Sequence, residues 1–250
     1  LIGQGALSEE LRDSFDLRMW LDISPRQAVL NFKNGCARNL GEPAALPYGA
    51  MMRRNYYVDF ELAIHCRWSL IRQKLLHCYL SADDAQGLSL LPFEQFDALL
   101  NLAGRRPLRC RPVYLEGVWG GFYMKRLRRL PDNMRNCAWI FDLIPMEVSL
   151  ALGLGKKELE IPFFTFVQHQ GQKLLGEKAF RRFGGYFPVR FNYDDTFHAG
   201  GNMSIQCHPG EEYLVREHRE LGRKDESYYV CVAGEGAQTY LGFRQPGDKE

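Results

Sequence analysis

Near its carboxyl end the chain has a short polar segment whose residue types can bind a divalent metal. Gln206 and His208 are two positions apart, and Glu226 lies in the next polar segment. In a β-strand, residues i and i+2 point to the same face, so the amide and the imidazole would converge. Glu226 precedes a second strand-like segment, residues 228–232, which could pair with the first and contribute a carboxylate. An amide oxygen, an imidazole and a carboxylate together suit a borderline ion such as zinc.

At these residues the chain resembles the type I phosphomannose isomerases (mannose-6-phosphate isomerases) of the cupin superfamily. Three segments carry the resemblance in the family's order: residues 203–209 (Met-Ser-Ile-Gln-Cys-His-Pro), 224–230 (Lys-Asp-Glu-Ser-Tyr-Tyr-Val) and 240–243 (Tyr-Leu-Gly-Phe). Weaker similarities occur upstream, at residues 117–121, 174–176 and 187–188. The resemblance therefore extends from about Tyr114 to the end of the chain.

The resemblance implies a set of roles for the matching residues. Gln206, His208 and Glu226 would hold one Zn²⁺ per chain, although other divalent metals are possible. Ser204 and Lys224 would contact the substrate, and Lys224 would also take part in catalysis. The implied reaction interconverts mannose 6-phosphate and fructose 6-phosphate through a cis-enediolate. A base must then move a proton between neighbouring carbons, while cationic groups stabilise the developing charge and hold the phosphate.

The chain is interpreted as an internal fragment of a longer protein, because it begins at Leu1 and ends abruptly at Glu250. In the family a histidine serves as the fourth metal ligand, and an arginine completes the active site. Both are expected beyond Glu250, so we expect a partial metal site and negligible isomerase activity from this chain alone.

Three other features allow competing interpretations. Cys207 lies between two predicted ligands, so its side chain is expected to face away from the metal and to pack. His198 could be a fourth ligand, but an ordinary loop histidine is the favoured interpretation. The basic residues at 125–129 favour a solvated face, and a phosphate-binding or nucleic-acid-binding patch is the alternative.

Composition excludes several classes of protein. The 250 residues carry a net charge of +2 and are 46% hydrophobic, which predicts a sizeable core and no nucleic-acid partner. The seven cysteines form no Cys-x-x-Cys pair, so a reducing cytoplasmic location is expected rather than a disulfide framework. No apolar segment approaches the roughly 18 residues of a membrane helix, and no signal peptide is recognised. The expected partner is a small sugar phosphate.

Apolar periodicity predicts an α+β fold: a helical or α/β segment, residues 1–106, followed by an all-β part, as for a jelly roll, at residues 107–250. The resemblance implies that this second part is an incomplete β jelly roll of the cupin type. The first part contains a predicted strand at 17–23, a helix from Pro25 capped by Ser24, a long helix from Arg53 to Leu80, and a helix at 92–103. The second part contains predicted strands at 113–115, 137–144, 146–150, 161–167, 188–192, 203–207, 228–232 and 238–243.

The amino-terminal segment has a weak similarity to the later part of a nucleotide-kinase domain. Residues 16–23, followed by Ser24 and Pro25, would correspond to a core strand ending in an aspartate, and Arg38, Arg53 and Arg54 would belong to a basic lid. No Gly-x-x-x-x-Gly-Lys-Ser/Thr phosphate loop is present in the sequence. Two alternatives to the isomerase therefore stay open. One is a non-catalytic cupin that binds a sugar or a metal, and the other is a bifunctional protein with an amino-terminal phosphotransferase domain.

Overall fold

The computed structural model describes residues 3, 5–83, 87–198 and 201–239. Their contacts divide the chain into two compact units. Unit 1 comprises residues 1–115 and 139–194, and unit 2 comprises residues 116–138 and 195–250. Each unit therefore combines two stretches of chain that are distant in sequence.

Helices and short strands are mixed in the described residues, so the predicted α+β class is confirmed. The α-helices are α1 (Pro25–Lys33), α2 (Tyr48–Arg54), α3 (Phe60–Arg72), α4 (Phe93–Ala103), α5 (Tyr123–Leu127), α6 (Phe163–Arg182) and α7 (Glu211–His218). The strands are β1 (Met19–Asp22), β2 (Cys78–Ser81), β3 (Ser89–Pro92), β4 (Val113–Leu115), β5 (Trp139–Leu143), β6 (Ser149–Leu154), β7 (Lys157–Pro162) and β8 (Phe191–Asp194). A 3-10 helix (Arg12–Ser14) precedes β1, and a π-helix (Asn55–Asp59) joins α2 to α3.

The first sheet of unit 1 has the strand order β1-β2-β3. Strand β2 is parallel to β1 and antiparallel to β3. The predicted first strand and its following helix are confirmed. Ser24 caps α1, because its Oγ accepts a hydrogen bond from the backbone N–H of Gln27 at 3.2 Å. Pro25 occupies the first helical position, where a missing N–H costs nothing.

The prediction of one helix from Arg53 to Leu80 is wrong at its carboxyl end. Helix α3 ends at Arg72, and Lys74 adopts a left-handed φ of 53° that turns the chain away from the helix. Residues 78–81 then form the central strand of the first sheet. Tyr79 is fully buried there. A central strand needs apolar residues as much as a buried helix does, so the apolar pattern continued across the boundary.

The remaining sheets of unit 1 are antiparallel. One has the order β4-β5-β8, and the other is the hairpin of β6 and β7. The strands predicted at 113–115, 137–144 and 188–192 overlap β4, β5 and β8. The strand predicted at 146–150 begins only at Ser149.

The strand predicted at 161–167 is wrong after Pro162, where helix α6 begins. Residues 163–168 are all buried, so this part of the helix has no polar face and its sequence has no helical periodicity. Gly176 interrupts the helix with a φ of 74° and a ψ of 157°.

One hydrophobic core occupies unit 1. Leu70 of α3, Phe96 of α4, Ile161 of β7 and Phe166 of α6 are fully buried in it. The ring of Tyr79 stacks on Phe96 with the centroids 3.8 Å apart. This core joins residues on both sides of the predicted 106/107 boundary, and the observed units divide the chain elsewhere. Independent folding of residues 1–106 and 107–250 stays a prediction.

In unit 2, the glycines of the segment 117–121 allow a tight turn and a close backbone approach. Gly120 N donates to Gly117 O at 3.1 Å, which closes a turn beside Trp119, whose exposed fraction is 5%. Gly121 N donates to Asp195 O, and a Cβ on Gly121 would overlap the Asp195 carboxylate. Only glycine allows this close approach.

The strands predicted at 203–207 and 228–232 are wrong, since residues 201–239 contain helix α7 and no strand. The strand predicted at 238–243 is also not seen at residues 238 and 239, and residues 240–243 lie outside the described residues. Ile205 is 92% exposed and Tyr229 is 89% exposed. Alternating apolar residues form a strand only where a neighbouring strand supplies backbone hydrogen bonds. The described residues form one mixed sheet and two antiparallel sheets, and the jelly-roll arrangement stays a prediction. Within the same residues, no helix combines the length and apolarity needed to cross a membrane.

Candidate metal centre

In unit 2, the His208 imidazole lies beside both of the other predicted metal ligands. Gln206 Oε1 lies 3.4 Å from His208 Nε2, and the same nitrogen lies 3.3 Å from Glu226 Oε2. The two-residue spacing thus brings the amide and imidazole together even though the segment is unpaired. Their role as metal ligands stays a prediction.

Helix α7 and its last turn return the chain to this point. The helix occupies Glu211–His218 and ends at Arg219, which adopts a left-handed φ of 54°. The backbone N–H of Glu220 then donates to Leu214 O at 3.2 Å. This reversal leads the chain back, so that Glu226 reaches His208.

Lys224 lies beside the Glu226 carboxylate. Its Nζ is 3.0 Å from Glu226 Oε1, whereas Oε2 faces His208. The two oxygens therefore have different partners: one is held by the ammonium group and the other faces the imidazole. The Lys224 side chain is half exposed and can also reach solvent or a ligand.

The electrostatic surroundings favour the ionised form of Glu226. Partial burial alone would raise the pKa of this carboxyl group, but the hydrogen bond and charge of Lys224 act in the opposite direction. The charge of His208 and a hydrogen bond from the Tyr228 hydroxyl add to this effect, so the pKa of Glu226 is lowered overall. A carboxylate that stays ionised is available to bind a cation.

Two separations in this cluster can be compared with those between zinc ligands. Zinc ligands at about 2.0–2.2 Å in a tetrahedron lie roughly 3.3–3.6 Å from one another. The two measured separations, 3.4 Å and 3.3 Å, match this spacing. The residues are also accessible, with side-chain exposed fractions of 31% for His208 and 29% for Glu226. Among the described residues no group of three His, Cys, Asp or Glu side chains gathers, and this cluster depends on an amide for its third donor.

The other predicted residues lie around this cluster or apart from it. Ser204 and Cys207 are exposed, so the packing expected for the Cys207 side chain is not seen. His198 adopts a left-handed φ of 61°, and its ring contacts Phe197 at a centroid distance of 4.3 Å. Among the described residues no contact joins His198 to the cluster, and its use as a fourth ligand stays an untested alternative.

Tyr228 is a residue that the sequence analysis did not assign to the site. Its hydroxyl group donates a hydrogen bond to Glu226, the same carboxylate that Lys224 contacts. Its position two residues after Glu226 was a usable signal, because i and i+2 share a face in extended chain.

In unit 1, the aspartate that ends β1 is engaged in a buried network. Asp22 accepts hydrogen bonds from Arg67 Nη1 at 2.9 Å, Tyr79 Oη at 2.8 Å and Thr165 Oγ1 at 2.7 Å. Arg67 Nε also donates to Gln168 Oε1 at 2.6 Å. Asp22 and Arg67 are nearly inaccessible to solvent. These contacts give Asp22 a structural role and do not favour the phosphotransferase alternative.

Comparison of the chain with protein-family models, with characterised proteins and with solved structures returned no match.

Proposed function

We propose that the chain carries the metal-binding part of an aldose–ketose isomerase that interconverts mannose 6-phosphate and fructose 6-phosphate. The observation that supports this most directly is the position of His208 Nε2, which lies beside both Gln206 Oε1 and Glu226 Oε2. The antiparallel pairing of β4, β5 and β8, and of β6 with β7, supports the further proposal that these strands belong to a cupin barrel.

In this proposal Gln206, His208 and Glu226 hold a divalent cation, zinc by the chemistry of the donor set. The cation supplies a positive charge that polarises the sugar carbonyl. His208 would hold the cation through Nε2, the nitrogen that faces Gln206 and Glu226. Glu226 binds through Oε2, while Lys224 holds Oε1 and fixes the orientation of the carboxylate.

In the proposal Lys224 also contacts the substrate. Its ammonium group has three N–H donors, and one of them is used by Glu226. The remaining donors can hold a phosphate or hydroxyl oxygen of the sugar, and Ser204, exposed on the same segment as the ligands, can accept or donate a further hydrogen bond. Both residues position the substrate, which is how they would contribute to the rate.

The test is a zinc titration of the protein and three variants, followed by an isomerase assay with mannose 6-phosphate. We expect one zinc per chain, a loss of at least tenfold in zinc affinity for His208→Ala and Glu226→Gln, and no change for the matched control His218→Ala. Equal zinc binding by His208→Ala would refute the site. Zinc binding without turnover in the full-length protein would favour the non-catalytic cupin.

A further inference from the structure

Unit 2 contains a concave basic surface that the proposed isomerase chemistry does not use. It encloses about 330 Å³ and lies against helix α5. We call it the basic concavity and define it by its lining residues: Phe122, Lys125, Arg126, Arg129, Leu130 and Asp132. Its volume lies at the lower end of the range for small-molecule sites.

The basic side chains of this surface have different roles. Lys125 Nζ donates to the backbone carbonyls of Asp132 and Met134, so its charge is used to hold the segment after the helix. Arg126 and Arg129 are exposed, and neither guanidinium group forms an ion pair or hydrogen bond within the described parts of the chain. The concavity therefore presents two guanidinium groups available for an anion.

Arg129 occupies a backbone position that usually belongs to glycine. Its N–H donates to Arg126 O at 3.2 Å, and the N–H of Leu130 donates to Lys125 O at 3.0 Å. These two bonds form a Schellman motif, whose left-handed residue is Arg129 with a φ of 51°. Glycine adopts this conformation at a lower conformational cost. The motif places the Arg129 side chain on the lining of the basic concavity.

We propose that the basic concavity binds the phosphate group of a small, hydroxyl-bearing metabolite, at a site separate from the metal cluster. A guanidinium group donates two parallel hydrogen bonds to phosphate oxygens, and two such groups suit a dianion. The Asp132 carboxylate lies on the same surface and accepts hydrogen bonds from hydroxyl groups, while it repels a polyanion. The Phe122 ring offers an apolar face for the carbon skeleton. A sugar phosphate combines these groups.

The test uses calorimetry of the whole chain with glucose 6-phosphate as the probe, in EDTA so that no metal is present. We expect Arg126→Gln and Arg129→Gly each to weaken binding at least fivefold. Arg128→Gln removes an equal charge from the same helix end but outside the lining, so it should change the affinity by less than twofold. Arg129→Gly should unfold at the same temperature as the parent or higher, which separates binding from folding.

Further measurements, with other ligands and another variant, identify the ligand and the site. Glucose should not bind, and inorganic phosphate should bind more weakly than glucose 6-phosphate. The affinity of His208→Ala should stay within twofold of the parent, and a loss there would place the binding at the metal cluster and overturn the proposal. The proposal would also be overturned if Arg128→Gln and Arg126→Gln lost affinity for glucose 6-phosphate equally. Two other results would overturn it: inorganic phosphate binding as tightly as glucose 6-phosphate, or no binding of glucose 6-phosphate.

Discussion

At the scale of single residues, the same types of group serve two different purposes in the two units. Glu226 is partly accessible, and its carboxylate has two oxygens with different partners. Asp22 is buried, and its oxygens accept bonds from Arg67, Tyr79 and Thr165. Accessibility therefore separates a carboxylate that can bind a ligand from one that stabilises the fold.

The charge of Lys224 can be tested through the pKa of Glu226. We expect Lys224→Gln to raise this pKa, because the substitution removes the main group that lowers it. Since the folded-state pKa is lowered, the pair stabilises the protein above the unfolded pKa, and this contribution is lost as pH falls through the folded pKa. The measurement is a titration of the Glu226 carboxyl carbon by NMR without metal. Arg223→Gln is the control, because Arg223 pairs with Asp225; an equal rise in that variant would contradict the assignment.

The buried network can be tested through stability. We expect Asp22→Ala to lower the free energy of unfolding by about 3–5 kcal/mol, because it leaves the Arg67 charge buried without a counterion. Urea unfolding followed by circular dichroism measures the effect. Asp13→Ala removes an exposed carboxylate from a nearby element and should cost less than about 0.5 kcal/mol. A similar small loss for Asp22→Ala would mean that the network contributes little.

At the scale of elements, the ends of helices decide where the chain goes next. Left-handed residues follow α3, α5 and α7: Lys74, Arg129 and Arg219. The turn after α7 returns the chain toward His208, and the turn after α5 forms part of the basic concavity. In both cases the chain reverses direction at the end of the helix, which brings residues before and after the reversal onto one surface.

The turn after α6 provides a test with a matched control. Gly184 and Gly185 have φ values of 56° and 84°. An added Cβ on Gly184 meets open space, whereas one on Gly185 would overlap the Trp68 indole. We expect Gly184→Ala to cost about 1–2 kcal/mol through backbone strain alone. Gly185→Ala should cost about 1–3 kcal/mol more because α3 must also move. If urea unfolding showed the same loss of unfolding free energy for both variants, the Trp68 indole would not be packed against this turn.

At the scale of the whole molecule, unit 1 is one core built from two stretches of chain. Residues 105–109 are exposed, while Gly104 lies against Gln170 and Cys110 is buried. The exposed segment is thus a surface loop of one core, and a break in it should leave the packing on both sides intact.

We therefore expect a chain cleaved at this loop to stay associated. A protease site inserted between Leu108 and Arg109 should be cut readily, and the two fragments should elute together from a sizing column at the position of the uncut chain. They should separate only in denaturant, because the apolar contacts between α3, α4 and α6 hold them together. Separation without denaturant would support the predicted division at 106/107.

The sequence by itself determined the features that depend on neighbouring residues. These include the Ser24 cap, the turn at residues 117–121, and the grouping of Gln206 with His208. Each follows from short-range geometry, which a few residues specify without help from the rest of the chain.

Tertiary structure alone decided the features that depend on a distant partner. Apolar residues at 78–81 became a central strand because β1 and β3 lie on either side of them. Residues 163–168 became a fully buried helix, although their sequence resembles a strand. Residues 203–207 and 228–232 alternate like strands and remain unpaired in the described structure. Burial and strand pairing depend on segments far away in sequence, and their presence or absence decides the outcome, so local pattern cannot specify it.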